Sequence, residues 1–289
     1  PNVIHNMKKI ALYLIMAAIF SVGCDKIEGP YLQISDRESV DVEFPELNPS
    51  GVYRKILMEE YTGHRCSNCP AAHLVLESLH DRYGDTLAIV GIHATSLADP
   101  NIDYPYDFRT ETGNELANEF TIGTIPAAVI NRENHAGGWG RDEWINKLAE
   151  VDRSKGYAAI QVINQPKSNG VIKVNTKVTM LKEYPHPVLL SIFIIEDGVI
   201  RPQLNGFDLI PDYTHNHVLR TSANGTYGTP LTTSGILDKG ESYLYAKSVK
   251  TADTDWDLAN CTAVVFLHDR VNGEVLQVET APLLVSDNK

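Results

Sequence analysis

Two patterns of apolar and polar positions divide the chain. From residue 55 to about 152, short apolar runs alternate with helical stretches, and the pattern predicts the order β-α-β-α-β-β-α. The predicted strands are 55–61, 87–94 and 127–131, with a last short strand near Gly138-Trp139. The predicted helices are 68–83, 112–120 and 141–152; in the first, Leu74, Leu76, Leu79 and Tyr83 are spaced mostly for one apolar face. From Gly156 the character changes. The runs 157–164, 171–181, 188–195, 217–222, 242–249, 261–268 and 275–280 are rich in Val, Ile, Thr and Tyr and alternate with period two. Between them stand Asp197-Gly198, Asn205-Gly206, Asn224-Gly225 and Asn272-Gly273, the strongest short hairpin signals. Strands of this kind in this number predict an antiparallel β-sandwich. The expected architecture is an α/β domain over residues 51–155 followed by an all-β sandwich domain over 156–289.

The N-terminal pattern is different again. After Met7 and the charged Lys8-Lys9 comes an apolar run of 11 residues, 10–20. That is too short for a spanning helix and suits a signal peptide, so residues 1–23 are assigned to a signal segment with upstream residues. Residues 24–50 are polar, with Pro30, Pro45, Pro49 and several acids, and read as a tether, with a candidate strand at 39–44.

Composition adds little beyond an ordinary globule, with 43% apolar and 21% charged residues. The net charge of −12 carries no basic footprint, so a nucleic-acid partner is not expected. The four cysteines, Cys24, Cys66, Cys69 and Cys261, contain one close pair and form no disulfide framework. Cys261 opens an apolar strand and reads as a buried, inert thiol.

The chemistry concentrates in Glu60-Tyr61-Thr62-Gly63-His64-Arg65-Cys66-Ser67-Asn68-Cys69-Pro70. A strand ends, the chain turns at Gly63, and Cys66 and Cys69 fall at the start of a helix. Unpaired amides and the helix dipole favour a thiolate there, which lowers a thiol's pKa and makes it reactive. Pro70 fits the first helical turn. His64 and Arg65 are expected to add positive charge that tunes Cys66, or else to be plain loop charges. Glu60, six residues before Cys66, is a candidate to sit under the second sulfur and move its proton. Pro126 opens a strand after Gly123-Thr124-Ile125 and is a candidate cis-proline. The excursion 95–111 reads as a wall or lid beside the cysteines. Alternatives for the pair are an inert structural disulfide or half of a zinc site. Zinc wants four ligands and no second pair exists. No metal or other cofactor is expected. His215 and His217 share a face if their segment is a strand, yet without a third ligand they read as structural. Asp253, Asp255 and Asp257 imitate the opening of a calcium loop, but Leu258 and Val264 replace the required Gly and Glu.

These residues resemble the thioredoxin superfamily. The resemblance implies that Pro126 packs against the cysteine pair, that Ile125 with Thr124 offers backbone to a substrate chain, and that Glu60 takes the place of a buried acid. Arg65 and the Ser67-Asn68 dipeptide depart from the usual pattern. Ser21-Val22-Gly23-Cys24 resembles a bacterial lipobox, which implies cleavage before Cys24 and its acylation. The plan as a whole resembles the 28-kilodalton outer-membrane-protein-related lipoproteins of Bacteroidetes. The residues that carry this are 59–72, Thr124-Ile125-Pro126-Ala127, His215-Asn216-His217-Val218-Leu219-Arg220, and Asn260-Cys261 with the strand after it. It implies a thioredoxin-like domain followed by a β domain, anchored at the outer membrane through lipid alone. Two functions compete. One is a tethered thiol–disulfide oxidoreductase whose partners are protein thiols and disulfides. The other is a surface adhesin, receptor or binding module for an unknown extracellular ligand, with an inert disulfide. A homodimer formed through the β domain is a third idea.

Overall fold

Residues 38–133, 136–154, 156–232 and 235–284 are described by the structure, a computed structural model. The expected signal segment, Cys24 and the first part of the expected tether lie outside the described residues. The first strand, β1 (Ile56–Thr62), pairs in parallel with β2 (Leu87–His93) and antiparallel with β3 (Ala127–Ile130). A two-residue strand, β4 (Trp139–Gly140), closes that edge. Helix α1 (Cys69–Tyr83) joins β1 to β2, with Pro70 in its first turn and Gly84 (φ 55) at its end. Helix α2 (Glu111–Glu119) follows the excursion and starts where the Thr110 hydroxyl accepts the Gly113 amide at 2.9 Å. Helix α3 is Trp144–Glu150. The expected order of elements from 55 to 152 is present, with boundaries shifted by one to three residues.

The later strands are β5 (Ala158–Lys167), β6 (Val171–Met180), β7 (Val188–Glu196), β8 (Val199–Asn205), β9 (Asp208–His215), β10 (Val218–Ser222), β11 (Thr229–Pro230), β12 (Ser242–Lys250), β13 (Cys261–Asp269) and β14 (Val275–Pro282). Four of them continue the first sheet. Its order is β14-β13-β7-β10-β2-β1-β3-β4, with β11 added on β7. The join is narrow: β10 meets β2 in parallel at Val218↔Gly91, and the Gly91 amide donates to the His217 carbonyl. A second sheet, β12-β6-β5, lies over β7, β13 and β14, and a two-stranded hairpin, β8-β9, stands apart. The fold is mixed α/β, mostly strand in several sheets with few helices. No helix among the described residues is long and apolar enough to cross a membrane.

Strands β7 and β13 are buried on both faces, so their period-two alternation chooses between two cores rather than between core and water. Leu190, Ile192 and Ile194 face the β5-β6-β12 sheet, while Phe193 and Ile195 face the side that holds Leu57, Tyr61, Val90 and Ile92. The opposite face of β1 and β2 packs Ile56, Met58 and Ile89 on Leu76, Leu79, Trp144 and Leu148.

Three expectations are corrected. Leu74 is exposed, and the buried stripe of α1 runs through Ala72, Leu76 and Leu79 instead. No strand forms at 39–44. That part of the tether is laid across the β5-β6-β12 sheet by side chains, with Asp41 pairing Lys167 and Lys173 and Glu38 accepting from Ser248. Strands β8 and β9 have no counterpart among the expected strands, although the Asn205-Gly206 turn between them is an expected one. Gly206 (φ 61) takes the first of the two loop positions, where glycine supplies the positive φ such a turn needs.

Candidate functional site

Cys66 and Cys69 are joined in a disulfide with a Cα–Cα distance of 5.4 Å. Cys69 is the first residue of α1, and Asn68 caps the helix without a side-chain bond. Between β1 and the pair the chain turns tightly. The Cys66 amide donates to the Gly63 carbonyl at 3.0 Å. A Cβ on Gly63 would lie 2.7 Å from the Leu97 carbonyl oxygen, so only glycine admits the excursion this close. The Ile125-Pro126 bond is cis, and the Cys66 Sγ lies 3.8 Å from the Ile125 carbonyl oxygen. The oxidised sulfur has no proton to donate, so this is a packing contact. Thr124 is exposed, and Ile125 and Pro126 are half-buried. Beside them an open groove of about 550 Å³ is lined by Asn68, Pro126 and the segment 140–143. The sulfurs themselves are covered, with Cys66 2% and Cys69 0% exposed.

Glu59 and Glu60 face opposite sides of β1, as the strand period requires. Glu59 holds Arg132 in a bidentate pair, Nη2 to Oε1 at 2.6 Å and Nε to Oε2 at 2.9 Å, and the guanidinium stacks over Phe266. Glu60 points to the α1 side and is 1% exposed. Its Oε1 has no hydrogen-bond partner among the described residues and lies 3.9 Å from His73 Nε2. Burial pushes its pKa up to about 8, against a smaller lowering by a Thr62 hydrogen bond. A small cavity of about 40 Å³ opens here, lined among others by Glu60, Thr62, His73, His93, Tyr213 and His215. Burial keeps the imidazoles neutral: His73 is brought down to about 4, His215 to about 3, and His93 well below its ordinary range.

The excursion forms a wall. The Leu97 carbonyl accepts the Arg65 amide, His64 stacks on Tyr104 at 5.4 Å, and Phe108 stacks on His93 at 4.2 Å. The β8-β9 hairpin covers the loop from another side. Gln203 Nε2 donates to the Gly63 and Cys66 carbonyls at 3.3 and 3.0 Å. The Leu204 and Gly206 amides donate to the His64 and Ser67 carbonyls at 2.8 and 3.0 Å. At the hairpin tip Phe207 is fully exposed.

The charge expected of His64 is absent at neutral pH. Its ring is buried, desolvation lowers its pKa, and Nε2 donates to the Asp99 carbonyl. Arg65 sends its Nη1 to the Ser96 and Asp99 carbonyls and so braces the wall. His215 and His217 do not share a face. His215 ends β9, while His217 sits in a turn at φ 58 with its amide on Asp197. Among the described residues no group of three His, Cys, Asp or Glu side chains is placed to hold a metal. His73, Tyr213 and Gln203 went unnoticed in the sequence. Only His73 left a signal, four residues after Cys69 and so on the same helix face.

Comparison with known proteins adds a family and a fold. The family model described as Outer membrane protein Omp28 matches residues 113–286. HBP35 of Porphyromonas gingivalis is similar in structure, with a TM-score of 0.62 and 14% identity, over 81% of this chain and 76% of that one. A protein from Agrobacterium tumefaciens is similar with a TM-score of 0.50 and 11% identity, over 82% of this chain and 97% of that one. A domain of the outer membrane lipoprotein Omp28 from Porphyromonas gingivalis shares 21% identity over 44% of this chain and 88% of its own, with a TM-score of 0.31. At these identities the structural likeness speaks of fold alone. No curated protein matches the sequence.

Proposed function

This chain belongs to the outer membrane protein Omp28 family, and from that premise we propose that it is an outer-membrane lipoprotein that carries out thiol–disulfide exchange at Cys66 and Cys69. Acylated Cys24 holds it to the membrane. A thioredoxin-like α/β part presents the pair, and an antiparallel β-sandwich follows. The observation that carries the reading is a disulfide at the first turn of α1 whose Cys66 sulfur lies against the Ile125 carbonyl, beside an open groove. That groove and the backbone of Thr124 and Ile125 offer an extended substrate chain a place to lie.

With the pair oxidised, a substrate thiolate attacks Cys66 Sγ, the Cys66–Cys69 bond breaks, and its electron pair leaves on Cys69. Glu60 supplies the proton that Cys69 takes up. A second substrate thiol, deprotonated, then attacks the substrate sulfur of the mixed disulfide and releases Cys66. The substrate loses two electrons and two protons and gains one S–S bond, while the protein gains both as a dithiol. The steps run backwards when a substrate disulfide is reduced.

The test is reduction of insulin by a dithiol, with the full chain in detergent as catalyst. Turnover well above that of Cys66→Ser is expected, and equal rates would remove the reading. A second reading, a surface module that binds a protein or glycan through its β-sandwich, is favoured by one fact: the disulfide is covered, with Cys66 2% exposed beneath the β8-β9 hairpin. A bond that mild dithiol leaves intact in the folded chain would support this second reading over the first.

A further inference from the structure

We propose that His73 and Tyr213 pass protons between Glu60 and solvent during exchange at the cysteine pair, so that the β8-β9 hairpin supplies part of the machinery. The proposal rests on the redox reading above. It starts from a difficulty of geometry. Glu60 is sealed under α1, and a carboxyl that gives a proton to Cys69 or takes one from it has to be recharged from water. Among the described residues a chain of polar atoms leads outward from it. Glu60 Oε1 lies 3.9 Å from His73 Nε2, His73 Nε2 lies 2.9 Å from Thr62 Oγ1, and His73 Nδ1 lies 2.7 Å from the Tyr213 hydroxyl. Tyr213 is only half-buried, on β9 of the hairpin.

The gap between Glu60 and His73 is too long for a direct bond. The cavity of about 40 Å³ at that point has room for a water, with Glu60, Thr62 and His73 as polar partners. Thr62 and Tyr213 both present hydroxyls, which can donate or accept, so His73 can hold its proton on either ring nitrogen and pass from one tautomer to the other. An imidazole so placed takes a proton on one nitrogen and releases one from the other, and the ring need not stay charged. Cys69 and His73 are four residues apart on α1 and therefore share a face, and His73 on that face lies beside Glu60.

Other ionisable groups face the cavity from each element around it. These are Glu77 on α1, His93 on β2, His215 on β9 and His217 in the loop after it. These three histidines are neutral through burial, as His73 is, but His93 makes no ring hydrogen bond among the described residues, His215 turns Nε2 to the Arg201 carbonyl and His217 turns Nδ1 to Asp197, so none of them joins Glu60 to Tyr213. Glu60, brought up to about 8, exchanges its proton readily near neutrality.

The experiment uses the reduced full chain and an aryl disulfide that releases a coloured thiolate. Cys66 attacks the probe and frees one aryl thiolate. Cys69, giving its proton to Glu60, then attacks Cys66 Sγ, closes the internal disulfide and frees the second. The second phase reports the proton transfer. Tyr213→Phe and His73→Gln are each expected to slow that phase about tenfold at neutral pH and leave the first unchanged. Added imidazole is expected to restore it, and neither change is expected to slow Glu60→Gln further. A second phase unchanged in both variants overturns the path. So does a slowed phase that imidazole does not restore and that adds to Glu60→Gln, because that describes a structural role. Wild-type chain that frees no more thiolate than Cys66→Ser points instead to failure of the redox reading itself.

Discussion

Replacing Glu60 by Gln keeps the shape of the side chain and removes its ionisation. In the wild-type chain the carboxyl is 1% exposed, and its pKa is moved from 4.5 up to about 8 by burial. Below the lower value the group is protonated in both the folded and the unfolded chain, and stability has no slope from it. Between the two values the unfolded chain releases the proton while the folded chain keeps it, so wild-type stability falls as pH rises. Above about 8 both states are ionised and the loss is constant. At about 1.4 kcal/mol per pH unit, the gap amounts to roughly 5 kcal/mol. The Glu60→Gln chain carries no such slope. Urea unfolding of both chains from about pH 4.5 to about pH 9 measures the difference directly. Taking the difference also cancels His73, His93 and His215, whose lowered pKa values make folding weaken in acid in both chains. Glu60→Gln is expected to gain several kcal/mol on the wild type between about pH 5 and about pH 8. A difference that stays flat within about 1 kcal/mol would show that Glu60 is solvated or ionised in the folded chain, and the assignment of a neutral carboxyl would fall.

Two more outcomes follow from the other side of β1 and from the shared sheet. Arg132→Met leaves Glu59 buried without its partner and is expected to cost about 3–5 kcal/mol by urea unfolding, most of it recovered when Glu59→Leu is added; a cost under about 1 kcal/mol would contradict the buried pair. A chain cut after residue 155 loses Phe193, Ile195, Leu219, Val264 and Phe266 from the face that holds Leu57, Tyr61, Val90 and Ile92, and is expected to show no cooperative thermal transition, whereas a sharp one would refute the shared core.

The α/β order could be read in advance because each of its elements carries its own local signal. Apolar runs bounded by Gly and Pro mark β1 to β3, and Pro70 with Gly84 marks the ends of α1. The disulfide pair was legible for the same reason, being three residues apart at a helix start. The hairpin was not. Pro202 and Pro211 interrupt its strands, and it is held on the loop 63–67 by hydrogen bonds from the Gln203 side chain and the Leu204 and Gly206 amides, which leave no pattern in the sequence. Tyr213 and Gln203 act at sequence separations of about 140 residues, a distance at which no periodicity speaks. The neutral state of His64 was hidden too, because charge in a sequence is counted before burial is known.

The hairpin changes how the site has to be approached. A cysteine pair at a helix start is usually considered with its face open to a partner. Here the excursion bonds to Arg65 and the hairpin bonds to Gly63, His64, Cys66 and Ser67, so two sides of the loop are occupied by the chain's own backbone. The side that remains is the groove along Pro126 and residues 140–143. A polypeptide that reached Cys66 from there would leave the hairpin in place, and with it the contact between Tyr213 and His73. Entry from the hairpin side would break both. If exchange runs as proposed, the two routes differ in whether Glu60 keeps the proposed link to solvent, and entry along the groove is the route that leaves it connected.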